Sequence, residues 1–317
     1  MTLPAGYVTR PASADDLDAV TTLFVACDLA DVGFEDPVRE HITKTWRASH
    51  FDLARDTILI GTADGTLAGY ADAAAIDPVV SVDAFGRVHP EHRARGLGAH
   101  LVSWTEARTV EHATAAGSPT KLWNAIPSVD EPAHRLLTAR GYAPIRTFRH
   151  MERPLDIRDG RSVTASPPEP TGFRVFEPGR DERTVYDVWT DAFAEHFGFT
   201  SEPFEEWRKD AFGGPGFEPE LVLIAEESDE VVGVQMATRF GDVGWVEIVG
   251  VRKPWRGRGI ARALLVRGFE DLAARGCRSA RLNVDAGNET GATHLYESVG
   301  MSVRREWNLL ERRIEPA

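Results

Sequence analysis

The chain repeats itself once, and this repeat limits the folds it can adopt. The stretch VHPEHRARGLG from Val88 to Gly98 matches VRKPWRGRGIA from Val251 to Ala261 in residue type and spacing. In each copy an amphipathic helix, a strand, a second helix and a glycine stop follow in the same order, ending at Gly141 and Gly300. The unit is far longer than a solenoid repeat. The sequence therefore predicts two copies of one domain.

The domain boundary is predicted from composition. A chain of 317 residues exceeds what one hydrophobic core usually holds. The segment from Pro154 to Gly172 is rich in Pro, Gly, Ser and Asp and lacks an apolar period. We expect a first domain over residues 1–155, a linker over 156–171 and a second domain over 172–317.

Charge and motif content exclude several function classes. With 36 Lys and Arg against 49 Asp and Glu, the net charge of −13 disfavours a nucleic-acid partner. No apolar run approaches the roughly 18 residues of a membrane span. Two distant cysteines and no cationic leader indicate a cytoplasmic protein. His89 and His92 lack the spacing of a metal motif, so no metal is expected.

Apolar periodicity predicts the fold class. One apolar helix face begins at Ile260, and Gly276 is placed to end that helix. Predicted strands cover Thr57–Thr62, Leu67–Ala73, Leu221–Glu226, Val231–Ala237, Trp245–Val251 and Arg278–Asp285. Each domain is therefore predicted to be α/β, a mixed sheet with helices packed on it.

A short glycine pattern lies between a strand and a helix in both halves. It reads Arg93-Ala-Arg-Gly96-Leu-Gly98 in the first and Arg256-Gly-Arg-Gly259-Ile-Ala261 in the second. Glycines let the backbone approach an anion, and the free N–H groups of a helix start point towards it. Five basic residues and no acidic one lie between Arg252 and Arg262. A diphosphate is the expected guest, and a plain glycine turn with solvated arginines is the alternative.

The two motifs of the second half resemble those of the GNAT superfamily of acetyl-CoA-dependent N-acetyltransferases. One is the loop from Arg256 to Ala261, and the other is Asn288-Glu-Thr-Gly-Ala-Thr-His-Leu-Tyr296-Glu-Ser-Val-Gly300. The resemblance covers nearly the whole chain, because the first half keeps the loop and the order of elements. The two-copy arrangement is similar to the mycothiol synthase type, and antibiotic and metabolite acetyltransferases could share it.

The resemblance implies an acetyl-CoA site in the second domain. The main chain at Val249 and Val251 would pair with the pantetheine arm, and Asn288 would bind the pantetheine side of the cofactor from the start of the last helix. The CoA diphosphate would lie on the backbone amides of Arg256, Gly257, Arg258, Gly259, Ile260 and Ala261.

Acetyl transfer to an amine needs a proton donor for the leaving thiolate and a base. Tyr296 suits the donor role because a phenol stays protonated at neutral pH; packing on the sheet is its alternative. Glu247 is the candidate base, acting through a water, since it interrupts an apolar strand. The family commonly places this acid two positions earlier, where Trp245 stands. Strand alternation puts both on one face. Glu247 could instead only orient substrate or pair with an arginine.

The first domain is expected to be a degenerate copy. Aligning Gly141 with Gly300 places Leu137 where Tyr296 stands and Val129 where Asn288 stands. Leucine cannot donate a proton. A second CoA site remains open as an alternative to a solvated loop, and its residues would be Val88, Arg93, Arg95, Gly96 and Gly98.

The stretch from Phe193 to Trp207 interleaves aromatic residues with four glutamates. In this fold it resembles the wall that faces the substrate, where carboxylates would attract an ammonium group; ordinary core helices are the alternative. The predicted function is acetyl transfer from acetyl-CoA to a primary amine of a small molecule, by direct attack on the thioester, in a monomer or homodimer. A non-catalytic acyl-CoA-binding regulatory or scaffold protein is the alternative.

Overall fold

The computed structural model describes residues 3–35, 38–48, 50–76, 81–155, 167–214, 217–288 and 291–317. The chain divides into two compact units. The first comprises Met1–Phe148 with Arg305–Ala317, and the second comprises Arg149–Arg304. Residues 305–317 thus belong to the first unit, although the sequence predicts them within the second domain. Most of the predicted linker, residues 156–166, lies outside the described residues.

Both units contain strands and helices. The strands are β1 (Tyr7–Arg10), β2 (Thr57–Thr62), β3 (Leu67–Ile76), β4 (Ser81–Val88), β5 (Thr120–Pro127), β6 (Ala143–Pro154), β7 (Gly172–Val175), β8 (Val222–Glu227), β9 (Glu230–Phe240), β10 (Val243–Val251), β11 (Ser279–Asp285) and β12 (Ser302–Ile314). The helices are α1 (Leu17–Val32), α2 (Val38–Arg47), α3 (Leu97–Ala116), α4 (Glu131–Ala139), α5 (Glu182–Phe193), α6 (Phe204–Phe212), α7 (Ile260–Ala274) and α8 (Ala292–Ser298).

Each unit is built on the same arrangement of strands. In the first, β1 to β4 are antiparallel neighbours and β5 joins β4 in parallel. In the second, β7 to β10 are antiparallel and β11 joins β10 in parallel. The predicted mixed α/β sheet and its duplication are confirmed.

The C-terminal strand completes the sheet of the first unit. β12 pairs antiparallel with β5, from Trp307 opposite Pro127 to Ile314 opposite Thr120. Leu310 and Ile314 are buried in one cluster with Leu122 of β5. This pairing is the reason that the end of the chain belongs with the first unit.

Both units contain a fork where the two parallel strands separate. Among the described residues, β4 pairs with β5 only over Ser81–Ala84, and β10 pairs with β11 only over Val243–Trp245. The remaining part of each strand, up to Val88 and Val251, continues without that neighbour. The fork therefore exposes one edge of each strand just before the glycine loop.

The two forks differ by one residue. In the second unit, Val246 lies opposite Ala237 and Ile248 lies opposite Met236, so Glu247 is the extra residue of a β-bulge. The corresponding ladder of β4 with β3 runs without a shift. Glu247 therefore has no counterpart in the first unit.

Candidate active site

The loop before α7 has the backbone that the sequence predicts. Gly257 has φ +76° and Gly259, which caps α7, has φ +85°. A Cβ added at either position would meet nothing within 4 Å. The first-turn N–H groups of α7 have no helical acceptors, so together with the positive end of the helix dipole they suit an anion.

The arginines of this loop are already paired. The Nε of Arg256 donates to the carbonyl oxygen of Val251 at 3.0 Å, which ties the loop to the end of β10. Arg258 donates to Glu227 at 2.7 Å. Arg252 pairs with Asp191 at 2.5 Å, and Lys253 with Glu195 at 2.9 Å. Acidic neighbours thus balance much of the predicted basic excess, and the backbone amides are the better anion ligands.

Tyr296 lies near the middle of α8 and is 8% exposed. It belongs to the buried cluster against which Val249 of β10 packs, which brings two of the predicted site residues together. Within the described residues its hydroxyl has no hydrogen-bond partner. Burial raises the pKa of Tyr296 to about 12, so the phenol remains protonated at physiological pH.

Glu247 is exposed at the bulge of β10, two residues before Val249. Trp245 is buried, with its ring 5.3 Å from that of His150. In a regular strand, side chains two residues apart lie on the same face, but the bulge interrupts this alternation after Val246. The spacing of Trp245 and Glu247 therefore does not by itself place their side chains on one face.

Asn288 is half-buried in the turn after β11 and precedes α8. Its backbone N–H donates to the carbonyl oxygen of Asp285 at 3.1 Å. The N–H of Gly287 donates to the Asp285 carboxylate at 2.8 Å. Asn288 is therefore held at the carboxyl end of β11, on the strand that borders the fork.

The predicted substrate wall is partly core. Trp207 is 5% exposed and stacks on Trp189, with ring centroids 5.3 Å apart. Sequence reasoning did not single out His196, which packs on Phe193 at 4.4 Å. Burial, followed by the charge of Arg256, lowers the pKa of His196, so this imidazole favours its neutral form beside the loop. The one sequence feature that could have indicated His196 is its position in a segment rich in glutamate.

The loop of the first unit repeats the backbone but is more enclosed. Gly96 caps α3 with φ +82°, and the Nε of Arg93 donates to the carbonyl oxygen of Val88 at 3.3 Å. Pro4 lies 3.6 Å from the position of a Cβ at Gly96. Arg95 donates to the Tyr7 hydroxyl at 3.2 Å. The amino-terminal segment therefore contacts a loop whose counterpart before α7 is open.

Two other features bear on the function. No group of three or more His, Cys, Asp or Glu side chains is placed to hold a metal ion within the described part of the chain. Across those same residues, no helix combines the length and the apolar character needed to cross a membrane.

Known proteins share the sequence pattern and the fold of this chain. The profile of the Acetyltransferase (GNAT) family matches residues 19–142 and 183–301. A mycothiol acetyltransferase of Streptomyces griseus is 31% identical, over 94% of this chain and 93% of the relative. Another, of Thermomonospora curvata, is 33% identical over 84% of each chain.

Solved structures agree over the full length. A GCN5-related N-acetyltransferase from Sphaerobacter thermophilus matches with a TM-score of 0.85 and 34% identity, covering 100% of this chain and 98% of that one. A tandem GNAT protein from the clavulanic acid biosynthesis pathway has a TM-score of 0.75 at 14% identity, covering 98% and 99%. The second likeness concerns the fold alone.

Proposed function

The chain belongs to the GNAT family of acetyltransferases, and we propose that it transfers the acetyl group of acetyl-CoA to a primary amine of a small molecule, using the second unit. The observation that carries this proposal is the fork in that unit. There β10 leaves β11 after Trp245 and continues to Val251, directly before an open glycine loop that starts α7.

The residues around the fork fit acetyl-CoA. Acetyl-CoA supplies the acetyl group as a thioester. The edge of β10 at Val249 and Val251 offers main-chain groups to an amide-bearing arm, and the amides from Arg256 to Ala261 suit a diphosphate. Asn288 would bind from the β11 side of the fork. The match rests on backbone geometry, since the arginine side chains have protein partners.

Tyr296 is the proposed proton donor. Its side chain is buried and its phenol is protonated, in the cluster against which Val249 packs. Glu247 is the proposed base, because it is the exposed carboxylate of the bulge at the fork. In the transfer, a C–N bond forms and the C–S bond breaks. Glu247 takes the proton that the amine loses, through a water, and Tyr296 protonates the thiolate.

The acceptor is expected to be a small-molecule amine. Because similar proteins are named mycothiol acetyltransferases, the amine substrate of those enzymes is the first one to assay. Thiol release from acetyl-CoA is measured with a panel of amines, alongside mass detection of the acetylated product. Amine-dependent release supports the proposal. Tight acetyl-CoA binding without release for any amine would instead favour a regulatory or scaffold protein.

A further inference from the structure

Arg87, on the forked part of β4, is a buried cation with few partners. Arg87 is only 7% exposed. It donates to the carbonyl oxygen of Gly86 at 3.1 Å, and its buried Nε has no acceptor among the described residues. A guanidinium has five N–H donors and stays charged in proteins. This side chain can therefore donate further hydrogen bonds to a planar anion, and a carboxylate fits its fork.

Aromatic rings surround this guanidinium. It lies 4.2 Å from the ring centroid of Phe85 and 4.9 Å from that of Trp307. The centroids of the two rings are 5.8 Å apart, and both residues are half-buried. Each ring therefore contacts the guanidinium and is also partly accessible to solvent. The nearby acid Asp28 also bonds Arg305, at 3.2 Å. The charge of Asp28 also acts on Arg87.

Two carboxylates lie on the same face of the sheet. Asp72 is directly opposite Phe85 in the ladder of β3 with β4, and Asp83 is two residues before Phe85. Asp72 accepts a hydrogen bond from the Tyr70 hydroxyl at 2.8 Å. Asp83 is exposed to solvent and has no side-chain partner within the described residues. Neither carboxylate has a basic partner there.

The local environment disfavours the charge of both carboxylates. Burial raises the pKa of Asp72 to about 7, and the charge of Asp83 adds to that rise. Asp83 acts on Asp72 through its charge, since its own side chain is exposed to solvent. A cation placed between the two carboxylates would relieve their mutual repulsion. This end of the face is therefore suited to an ammonium group.

We propose that this face of the first unit binds a small molecule carrying a carboxylate at one end and an ammonium group at the other. Arg87 would hold the carboxylate, Asp72 and Asp83 the ammonium group, and Phe85 with Trp307 the apolar segment between them. This inference does not rest on the proposed acetyl transfer.

The spacing of these residues narrows the ligand class. Asp72 and Arg87 are diagonal neighbours across the ladder, about 7–8 Å apart between backbones, and Asp83 lies about 13 Å from Arg87 along the strand. The two charges of an α-amino acid are too close together to reach both ends. The ligand is an ω-amino acid or a short peptide.

The second unit lacks this site. By strand register, Gly250 occupies the place of Arg87, because Gly250 lies opposite Val234 as Arg87 lies opposite Tyr70. Met236 likewise stands opposite Ile248 where Asp72 stands opposite Phe85. The charged groups are thus particular to the first unit.

The test is titration calorimetry of the full chain with glycine, β-alanine, 4-aminobutyrate and 6-aminohexanoate. Glycine is expected to bind weakly or not at all, and the longer acids to bind with an optimum in length. Arg87→Met and Asp83→Asn should each weaken that binding by at least about tenfold, as expected for loss of a charged contact. Asp15→Asn, another exposed carboxylate of this unit, is the matched control.

Several outcomes would overturn the site. These are an absence of binding across the series, equal binding to the Asp83→Asn protein, or butyrate binding as tightly as 4-aminobutyrate. Asp83 is exposed, so its variant should fold. Arg87→Lys serves if the methionine variant does not fold, because it keeps a charge but loses the planar fork.

Discussion

Tyr296 and Leu137 occupy the same place in the two units. The Tyr296 carbonyl oxygen accepts from the N–H of Met301 at 3.0 Å, and that of Leu137 accepts from the N–H of Tyr142 at 3.1 Å. The intervening glycines, Gly300 and Gly141, both have φ +85°. The two helix ends are therefore alike in backbone, and the difference between a phenol and an isobutyl group is chemical.

Tyr296→Phe is expected to lower kcat by at least about tenfold and to leave acetyl-CoA affinity within a few-fold, because only the proton donor is removed. Since the pKa of Tyr296 is about 12, its ionisation should not produce a fall in kcat between neutral pH and about pH 10. Steady-state kinetics over that range, with calorimetry for acetyl-CoA, checks both points.

Tyr142→Phe is the matched control for this variant. Tyr142 is also a buried tyrosine, 3% exposed, and its hydroxyl has no hydrogen-bond partner within the described residues. It should keep the parental kcat. Full activity of the Tyr296→Phe protein would show that this residue only packs, and another donor would have to be identified.

Strand β10 contains one feature that the sequence predicts and one that it does not. Apolar alternation indicated this strand and its glycine loop, because both depend on local periodicity and turn chemistry. The bulge at Glu247 was not foreseen, since an extra residue is visible only when β9 provides the register. Local patterns thus predicted the element but not the direction in which its acid points.

The C-terminal strand illustrates a different limit. Residues 305–317 follow the second copy in sequence, yet β12 pairs with β5 and buries Leu310 against Leu122. Strand pairing between segments distant in sequence leaves no periodic signal, so composition could not assign this strand. The pairing of Arg258 with Glu227 was hidden for the same reason.

Gly259→Asp is expected to abolish acetyl-CoA binding. Its φ of +85° strains any side chain, by about 1 kcal/mol, and the carboxylate would stand where the diphosphate is proposed. Calorimetry measures the loss.

Gly241→Asp is the control for strain, since Gly241 has φ +61° and equally open surroundings. Gly96→Asp, the matched change in the first unit, should leave kcat within a few-fold. An unchanged affinity of the Gly259→Asp protein for acetyl-CoA would refute the placement of the diphosphate on this loop.

Glu247→Gln is expected to lower kcat by about tenfold or more and to remove the acidic limb of the rate profile, because the amide cannot accept a proton. Steady-state kinetics across the acidic and neutral pH range measure this limb. Glu230→Gln, an exposed acid of β9, is the control. A raised KM with an unaltered pH profile would show that Glu247 orients the amine without acting as base.

Deletion of residues 1–148, the amino-terminal part of the first unit, is expected to give an aggregating, poorly active fragment. The remaining chain would still contain β12, whose partner β5 is removed, leaving Leu310 and Ile314 exposed on an unpaired strand. Size-exclusion chromatography and turnover of the fragment provide the measurement. A monomeric fragment with parental kcat would show that the first unit contributes neither stability nor catalysis.

Asp72→Asn is expected to stabilise the protein at alkaline pH. The folded-state pKa of Asp72 is about 7, above the value of about 4 for an unfolded aspartate. Because the native state then binds the proton more tightly, the free energy of unfolding falls as pH rises between these two values. The penalty is absent below about pH 4 and complete above about pH 7.

Asparagine keeps an acceptor for the Tyr70 hydroxyl but carries no charge to desolvate. The variant should therefore gain stability on the order of 4 kcal/mol at pH 8 relative to the parent, and on the order of 1 kcal/mol at pH 5. Urea unfolding at the two pH values measures this difference. Asp15→Asn, at an exposed carboxylate of the same unit, is the control. A gain for Asp72→Asn that is equal at both pH values would mean that packing, rather than titration, is responsible.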